Sequence, residues 1–276
     1  MASGTLTLVF PQWQGSGNSK ATYYGAKYIK DNLLNGSCYR EVPVGPDEGR
    51  QEKGINGYGH ILSHLEGACE ILRQETPDKV FLIGGDCGTE LAPVSYLNKL
   101  YGGDLAVVWF DAHGDLNSPA TSVSHNFHGM PLRCLLGDGD EALVKNCFSL
   151  LTPEQVIMAG IRELDPPEQK FIEEKNIDCV TVDDIIADAR KIARMVREKG
   201  YSNVYVHIDL DVLYPEKYPW VQCPCDNGID MPELMAALTG LKKELNIAGI
   251  SLLELRPGDD MDASYLREPV SFCRSI

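Results

Sequence analysis

The 276-residue chain carries 40 acids against 25 lysines and arginines, a formal net charge of −15. That balance excludes a nucleic-acid backbone or an anionic membrane as the expected partner, because both recruit basic surfaces. A hydrophobic content of 43% suffices for one large core, and the nine cysteines are scattered without the spacing of a disulfide framework. The expectation is a single domain over residues 1–276 in a reducing, cytoplasmic compartment.

The amino-terminal stretch "MASGTLTLVFPQWQGSG" has no basic leader and only a five-residue apolar run, so it reads as no signal peptide. Thr5 to Phe10 reads as a strand. The segment "QGSGN" after it lacks both the dinucleotide fingerprint and the lysine of a phosphate loop. A helix is predicted over His60 to Gln74, with His60 and His64 on one face and no third ligand beside them. Buried strands are predicted over Lys79 to Gly85, Asp104 to His113 and Glu154 to Ile161. Val182 to Gly200 reads as one helix, with acids in its first turn, bases in its last and glycine after it. Asn203 to Asp211 and Ile247 to Leu255 read as further strands, separated by a loop from Pro215 to Asn227 and a helix from Met231 to Leu245. No segment approaches the roughly 20 apolar residues that span a bilayer. Alternation of this kind predicts an α/β fold, a mainly parallel sheet between two helical layers, with ligands just beyond the carboxyl ends of the strands.

The polar residues at those strand ends are of one chemical kind. "WFDAHGD" spaces Asp111, His113 and Asp115 two apart, and "VHIDLD" does the same for Asp209 and Asp211. Strand side chains alternate with period 2, so each set is expected on one side of its strand end. Carboxylates brought together without compensation raise one another's pKa. Divalent cations remove that conflict, and a carboxylate and imidazole set with shared acids suits two of them, about 3.5–4 Å apart, with a hydroxide between.

"GGDCGTE", "DAHGDLNSPATSVSHNFHGMP" and "HIDLDVLYP" resemble, in order and separation, the three signature segments of the arginase (ureohydrolase) family, over roughly Lys79 to Pro257. The resemblance implies a three-layer αβα sandwich, a binuclear manganese centre, a guanidino substrate cleaved to urea, and a homo-oligomer of three or six copies. It implies that Asp111 and Asp209 bridge the metals, that Asp115 binds the first, and that His113 and Asp211 bind the second. Cys87 stands where the family has a histidine on the first metal. A Cys87 thiolate would add one negative charge and favour Zn²⁺ or Fe²⁺ over Mn²⁺, whereas a neutral thiol would leave the first site weak or empty.

By the same resemblance, Asn117, Ser122, Ser124 and Asn126 would receive the α-carboxylate of an amino acid, and Asp165, with Glu163 and Glu168, its α-ammonium. Glu254 would pair with the guanidinium, Asp115 would pass a proton to the leaving amine, and His128 would shuttle protons to bulk water. L-Arginine is then the expected substrate, giving L-ornithine and urea. Agmatine, a guanidino acid or a formimino amino acid are the alternatives, as is a weakly active homologue with a binding role. Three departures bear on the choice: His125 replaces a family glycine and is expected to narrow the entrance, Tyr214, Tyr218 and Trp220 add bulk after Asp211 that either reshapes the substrate channel or, as the favoured reading, packs within the loop, and Cys223 and Cys225 read as ordinary loop thiols.

Overall fold

The computed structural model describes residues 4–17, 19–34 and 36–276; Met1 to Ser3 of the amino-terminal stretch and Asn18 of "QGSGN" lie outside the described residues. Its strands are β1 (Thr5–Phe10), β2 (Arg40–Glu41), β3 (Lys79–Gly84), β4 (Ala106–Phe110), β5 (Val156–Ala159), β6 (Asp178–Val180), β7 (Asn203–Ile208) and β8 (Asn246–Leu252). They form one sheet in the order β2-β1-β3-β8-β7-β4-β5-β6, and every neighbouring pair is parallel.

Period 2 explains why the strands read as continuous apolar runs. Val108, Phe110, Val206, Ile208, Ile250 and Leu252 enter one core, and Val107, Trp109, Tyr205, Val80 and Leu82 enter the other, on the opposite face. Helices Ala21–Leu33, Lys191–Glu198, Met231–Glu244 and Arg267–Arg274 cover the first face through Ile29, Val196, Leu238 and Val270. Helices Tyr58–Glu75, Leu91–Leu100 and Pro166–Lys175 cover the second through Leu65, Leu97 and Phe171. Each fully buried aliphatic or aromatic side chain contributes roughly 1.5–3 kcal/mol, so a strand buried on both faces has no room for an alternating polar pattern.

The sheet therefore has the α/β layering expected from sequence. One predicted helix is corrected: Val182 to Gly200 is two helices, Val182–Ala187 and Lys191–Glu198. Asp188 between them is extended, at φ −154°, and its carboxylate accepts from the Arg190 backbone and from Arg194. A short acidic side chain that captures a backbone N–H two residues on competes with the helical bond and breaks the run.

The two ends of the sheet matter unequally. β3, β8, β7 and β4 lie side by side at its centre, and the residues that follow their carboxyl ends are Asp86 and Cys87, Glu254, Asp209 and Asp211, and Asp111 to Asp115.

Candidate metal centre and active site

Each acid reaches the centre by a turn rather than by continued strand. β4 stops at Phe110 and β7 at Ile208, so the expectation that each set of ligands lines one side of a strand holds only for its first member. Asp209 caps the short turn Leu210–Val212, accepting from the Asp211 backbone at 2.8 Å. Asp211 in turn accepts from Ala112 at 3.0 Å, which ties the β7 turn to the β4 turn. Asp111 accepts from the His113 backbone at 2.6 Å and from the Trp109 indole at 3.2 Å. Asp115 comes inward because its backbone is left-handed, at φ 52°; Glu254 does the same after β8, at φ 60°.

These turns gather the acids tightly. His113 Nδ1 lies 2.9 Å from Asp211 and 3.6 Å from Asp111. Cys87 is buried, donates its thiol to Asp209 Oδ2 at 3.2 Å, and donates its backbone N–H to Glu254 Oε1 at 3.0 Å. Among the described residues, three sets of potential ligand atoms fall within 4.8 Å of one another: Cys87, Asp111, Asp115 and His207; Cys87, Asp209 and Glu254; and Asp111, His113 and Asp211.

Burial and the closeness of like charges govern the electrostatics of the site. Burial, followed by the neighbouring carboxylates, pushes Asp115 and Asp209 well above the ordinary range and Asp211 up to about 6. Burial also acts to raise Asp111, but the adjoining His113 and His207 imidazoles outweigh it and hold that carboxyl low. Burial and the fields of Asp115, Asp209 and Glu254 drive the Cys87 thiol strongly upward, toward the neutral form. Among the described residues, the buried oxygens Asp115 Oδ2 and Glu254 Oε2 meet no hydrogen-bond partner. Carboxylates, an imidazole and partnerless oxygens converging in this way fit divalent cations, which take oxygen and nitrogen donors and cancel the like-charge repulsion.

A cavity of about 320 Å³ opens beside the acids, lined by His113, Asp115, Asp209, Asp211, Glu254 and His128 at its inner end. His128 Nδ1 lies 3.3 Å from Glu254, a bond that raises the imidazole pKa against the effect of burial. Asn117, Ser122, Ser124, Asp165 and Glu168 also line it. Asn117 donates to Asp165 at 2.9 Å. Glu168 is already occupied, accepting from the backbone of Leu116 and of Asp165, where it completes a capping box on helix Pro166–Lys175.

Asn126 does not line the cavity: its oxygen accepts from Asn56. Glu163 is outside it as well, beside Cys225. The expected narrowing by His125 is not found. That residue holds the left-handed conformation its family glycine implies, at φ 58°, and turns its ring away to the Gly54 carbonyl. Tyr218 and Trp220 pack on Tyr265 rather than on the cavity, whereas Cys223 does line it.

Four participants escaped the sequence reading. Arg162 donates to the carbonyls of Gly160, Asp211, Cys225 and Asp226, clamping the 215–227 loop beside the acids. Asp86 fixes the entrance of the β3 turn by accepting from Gln12, Gly15 and Gly88. His207 and Glu90 form a buried pair directly beneath the acids, at 2.9 Å. The spacing of His207, two before Asp209, was a signal that could have placed it on the same face.

The model of the "Arginase family" matches residues 55–267. An arginase of Staphylococcus aureus is 31% identical over 233 residues, covering 80% of this chain and 75% of that protein. The crystal structure of Bacillus subtilis arginase superposes with a TM-score of 0.82 at 26% identity, covering 99% of this chain and 97% of that one. Entamoeba histolytica arginase in complex with L-ornithine superposes at 0.85 and 23% identity, covering 100% and 98%, a likeness of fold. With the acids gathered at the ends of four central strands and the sequence match running through all of them, this chain belongs to the arginase family of C–N hydrolases.

Proposed function

We propose that the chain hydrolyses the guanidino group of L-arginine to L-ornithine and urea. The observation that carries this reading is the buried, partnerless Oε2 of Glu254 at the inner end of the cavity, beside the acids. A planar guanidinium pairs with such a carboxylate through two parallel N–H bonds, which neither a thiol nor an amide can reproduce. At the outer end, the Ser122 and Ser124 hydroxyls suit an α-carboxylate, and exposed Asp165 suits an α-ammonium. The relatives at 31% identity are named arginase, which favours the same substrate.

Asp111 and Asp209 would hold two divalent cations between them, with Asp115 and the Cys87 position toward the first and His113 and Asp211 toward the second. When bound, such cations supply Lewis-acid activation of water and neutralise the acids; Mn²⁺ is the ion expected, with Zn²⁺ or Fe²⁺ favoured only if Cys87 ligates as thiolate. Glu254 orients the substrate so that its central carbon faces the acids. Asp115 carries a proton at its carboxyl for the departing amine, and His128 exchanges protons between the cavity and solvent.

The test is urea release by purified, reduced protein incubated with Mn²⁺, with bound metal counted in the same sample. Urea from L-arginine, and much less from agmatine or a guanidino acid, is expected. Agmatine turned over in preference to arginine would overturn the assignment of the Ser122, Ser124 and Asp165 end. Two metals per chain without urea from any of these substrates would overturn the hydrolysis of guanidino groups.

A further inference from the structure

The segment that follows β3 offers a thiol where the family pattern has an imidazole, yet the His207 imidazole lies beside that thiol, with its Nε2 4.0 Å from Cys87 Sγ. We propose that His207 ligates the first metal, replacing from β7 the histidine that position 87 lacks. The inference deepens the two-cation reading above and rests on it.

The geometry begins with register. His207 precedes Asp209 by two residues and therefore points to the same face of β7. Its register partner on β4 is Trp109, and the two rings stack at 3.6 Å between centroids with an interplanar angle of 7°. His207 is wholly buried, so the ring has no freedom to turn toward solvent. Its Nδ1 lies 2.9 Å from Glu90 Oε1, and Glu90 is held in turn by the Tyr205 and Ser251 hydroxyls. A carboxylate on one ring nitrogen fixes the proton there and leaves the other nitrogen as an electron-pair donor, the arrangement that supports metal-bound histidines.

That other nitrogen, Nε2, faces the acids. Its nearest polar neighbours are Asp111 Oδ2 at 3.5 Å and Cys87 Sγ at 4.0 Å. The first is too long for a good hydrogen bond. The Asp111 distance suits co-ligation instead, because ligands about 2.1 Å from one ion lie roughly 3–4 Å apart. Asp115, whose Oδ2 is partnerless, completes the same set.

Charge argues the same way. A Cys87 thiolate would add a negative charge to four aspartates already in conflict, whereas neutral His207 leaves those four balanced by two divalent cations. Cys87 then remains a thiol, donating to Asp209 as the 3.2 Å contact has it. The rival account makes His207 an imidazolium bridging Glu90 and Asp111, a permanent counter-charge in place of the first metal, and it predicts a different stoichiometry.

The experiment counts metal and identifies its ligands without relying on turnover. Chelator-treated wild-type protein is dialysed against Co²⁺ and against Zn²⁺, and bound metal per chain is measured alongside the cobalt absorption and the zinc X-ray absorption fine structure. Two metals per chain, no thiolate-to-cobalt charge-transfer band, and nitrogen and oxygen scattering without sulfur near 2.3 Å are expected. His207→Phe should lose one metal, with affinity at the first site down at least 100-fold. Glu90→Gln should weaken that site by about 10–100-fold, and Cys87→Ser should keep both metals. Sulfur scattering in the wild type, or a His207→Phe protein that still binds two, overturns the assignment of His207 and leaves the binuclear reading standing. Fewer than two metals on the wild-type chain overturns the binuclear reading itself, and this inference with it.

Discussion

Asp115 and Glu254 are strained twice over. Each holds a left-handed backbone, which costs a non-glycine residue of order 1–3 kcal/mol, and each keeps one buried carboxylate oxygen without a partner. Packing alone gains nothing from either feature, so the pair marks groups aimed at something the fold itself does not contain. His64 shows the opposite case, a histidine satisfied by its surroundings. It is buried under helix Tyr58–Glu75, meets the Gln12 side-chain oxygen at 3.2 Å and stacks on His60. Burial first, and the His60 charge second, lower its pKa from 6.5 to about 4. The unfolded chain therefore takes up this proton near 6.5 and the folded chain only near 4. Stability that is present above pH 6.5 is lost as the pH falls through that window, by up to about 3 kcal/mol. Urea midpoints at pH 7 and 4.5 measure it, and His64→Gln, whose amide can still donate to Gln12, should flatten the difference. An unchanged difference would move the acid sensitivity to other groups.

Helix Ala21–Leu33 crosses the end of β8 at Gly25, where an added Cβ would lie 1.8 Å from the Leu255 carbonyl oxygen. That oxygen is backbone, one residue after Glu254, and cannot yield without turning the Glu254 carboxylate. Gly25→Ala should cost about 1–3 kcal/mol by overpacking and also reduce urea release; Gly59→Ala, with nothing within 4 Å of the new methyl, should do neither. Equal losses in both would remove the crossing as the cause. Elements set by packing of this kind were legible in the sequence where burial is two-sided. Thr5 to Phe10 is a strand over the residues expected, and the other long strands differ only at their ends. β2 and β6, of two and three residues, are too short to carry a pattern. The break at Asp188 was hidden because its helix has sound charges at both ends, and a side-chain bond to Arg190 is invisible in periodicity. At the candidate metal centre, spacing singled out Asp111, His113, Asp115, Asp209 and Asp211, but the turns that bring in His113, Asp115 and Asp211, left-handed at Asp115, are not foretold by strand alternation. His207 is hidden by the family pattern, which sets the histidine of that site at position 87.

At the scale of the molecule, two sources of electrostatic strain have to be told apart. The chain carries a net charge of −15, spread over a surface whose repulsion any salt screens beyond a Debye length of about 10 Å at 0.1 M. The acids at the ends of β3, β8, β7 and β4 are buried, where salt screens little and only a bound ion compensates them. Because β3, β8, β7 and β4 are the central strands, relief at their ends is felt by the whole sheet. A cation that binds only the folded chain stabilises it by about 2.7 kcal/mol per site at 100 times its dissociation constant, and at this chain length that corresponds to roughly 5–10 °C. Mn²⁺ added to chelator-treated protein should therefore raise Tm by at least that amount at micromolar to millimolar concentration, and NaCl of equal ionic strength should not. Scanning calorimetry separates the two sources. A rise that NaCl reproduces would assign the strain to the surface, whereas a rise specific to the divalent ion, lost on chelation, assigns it to the four central strand ends.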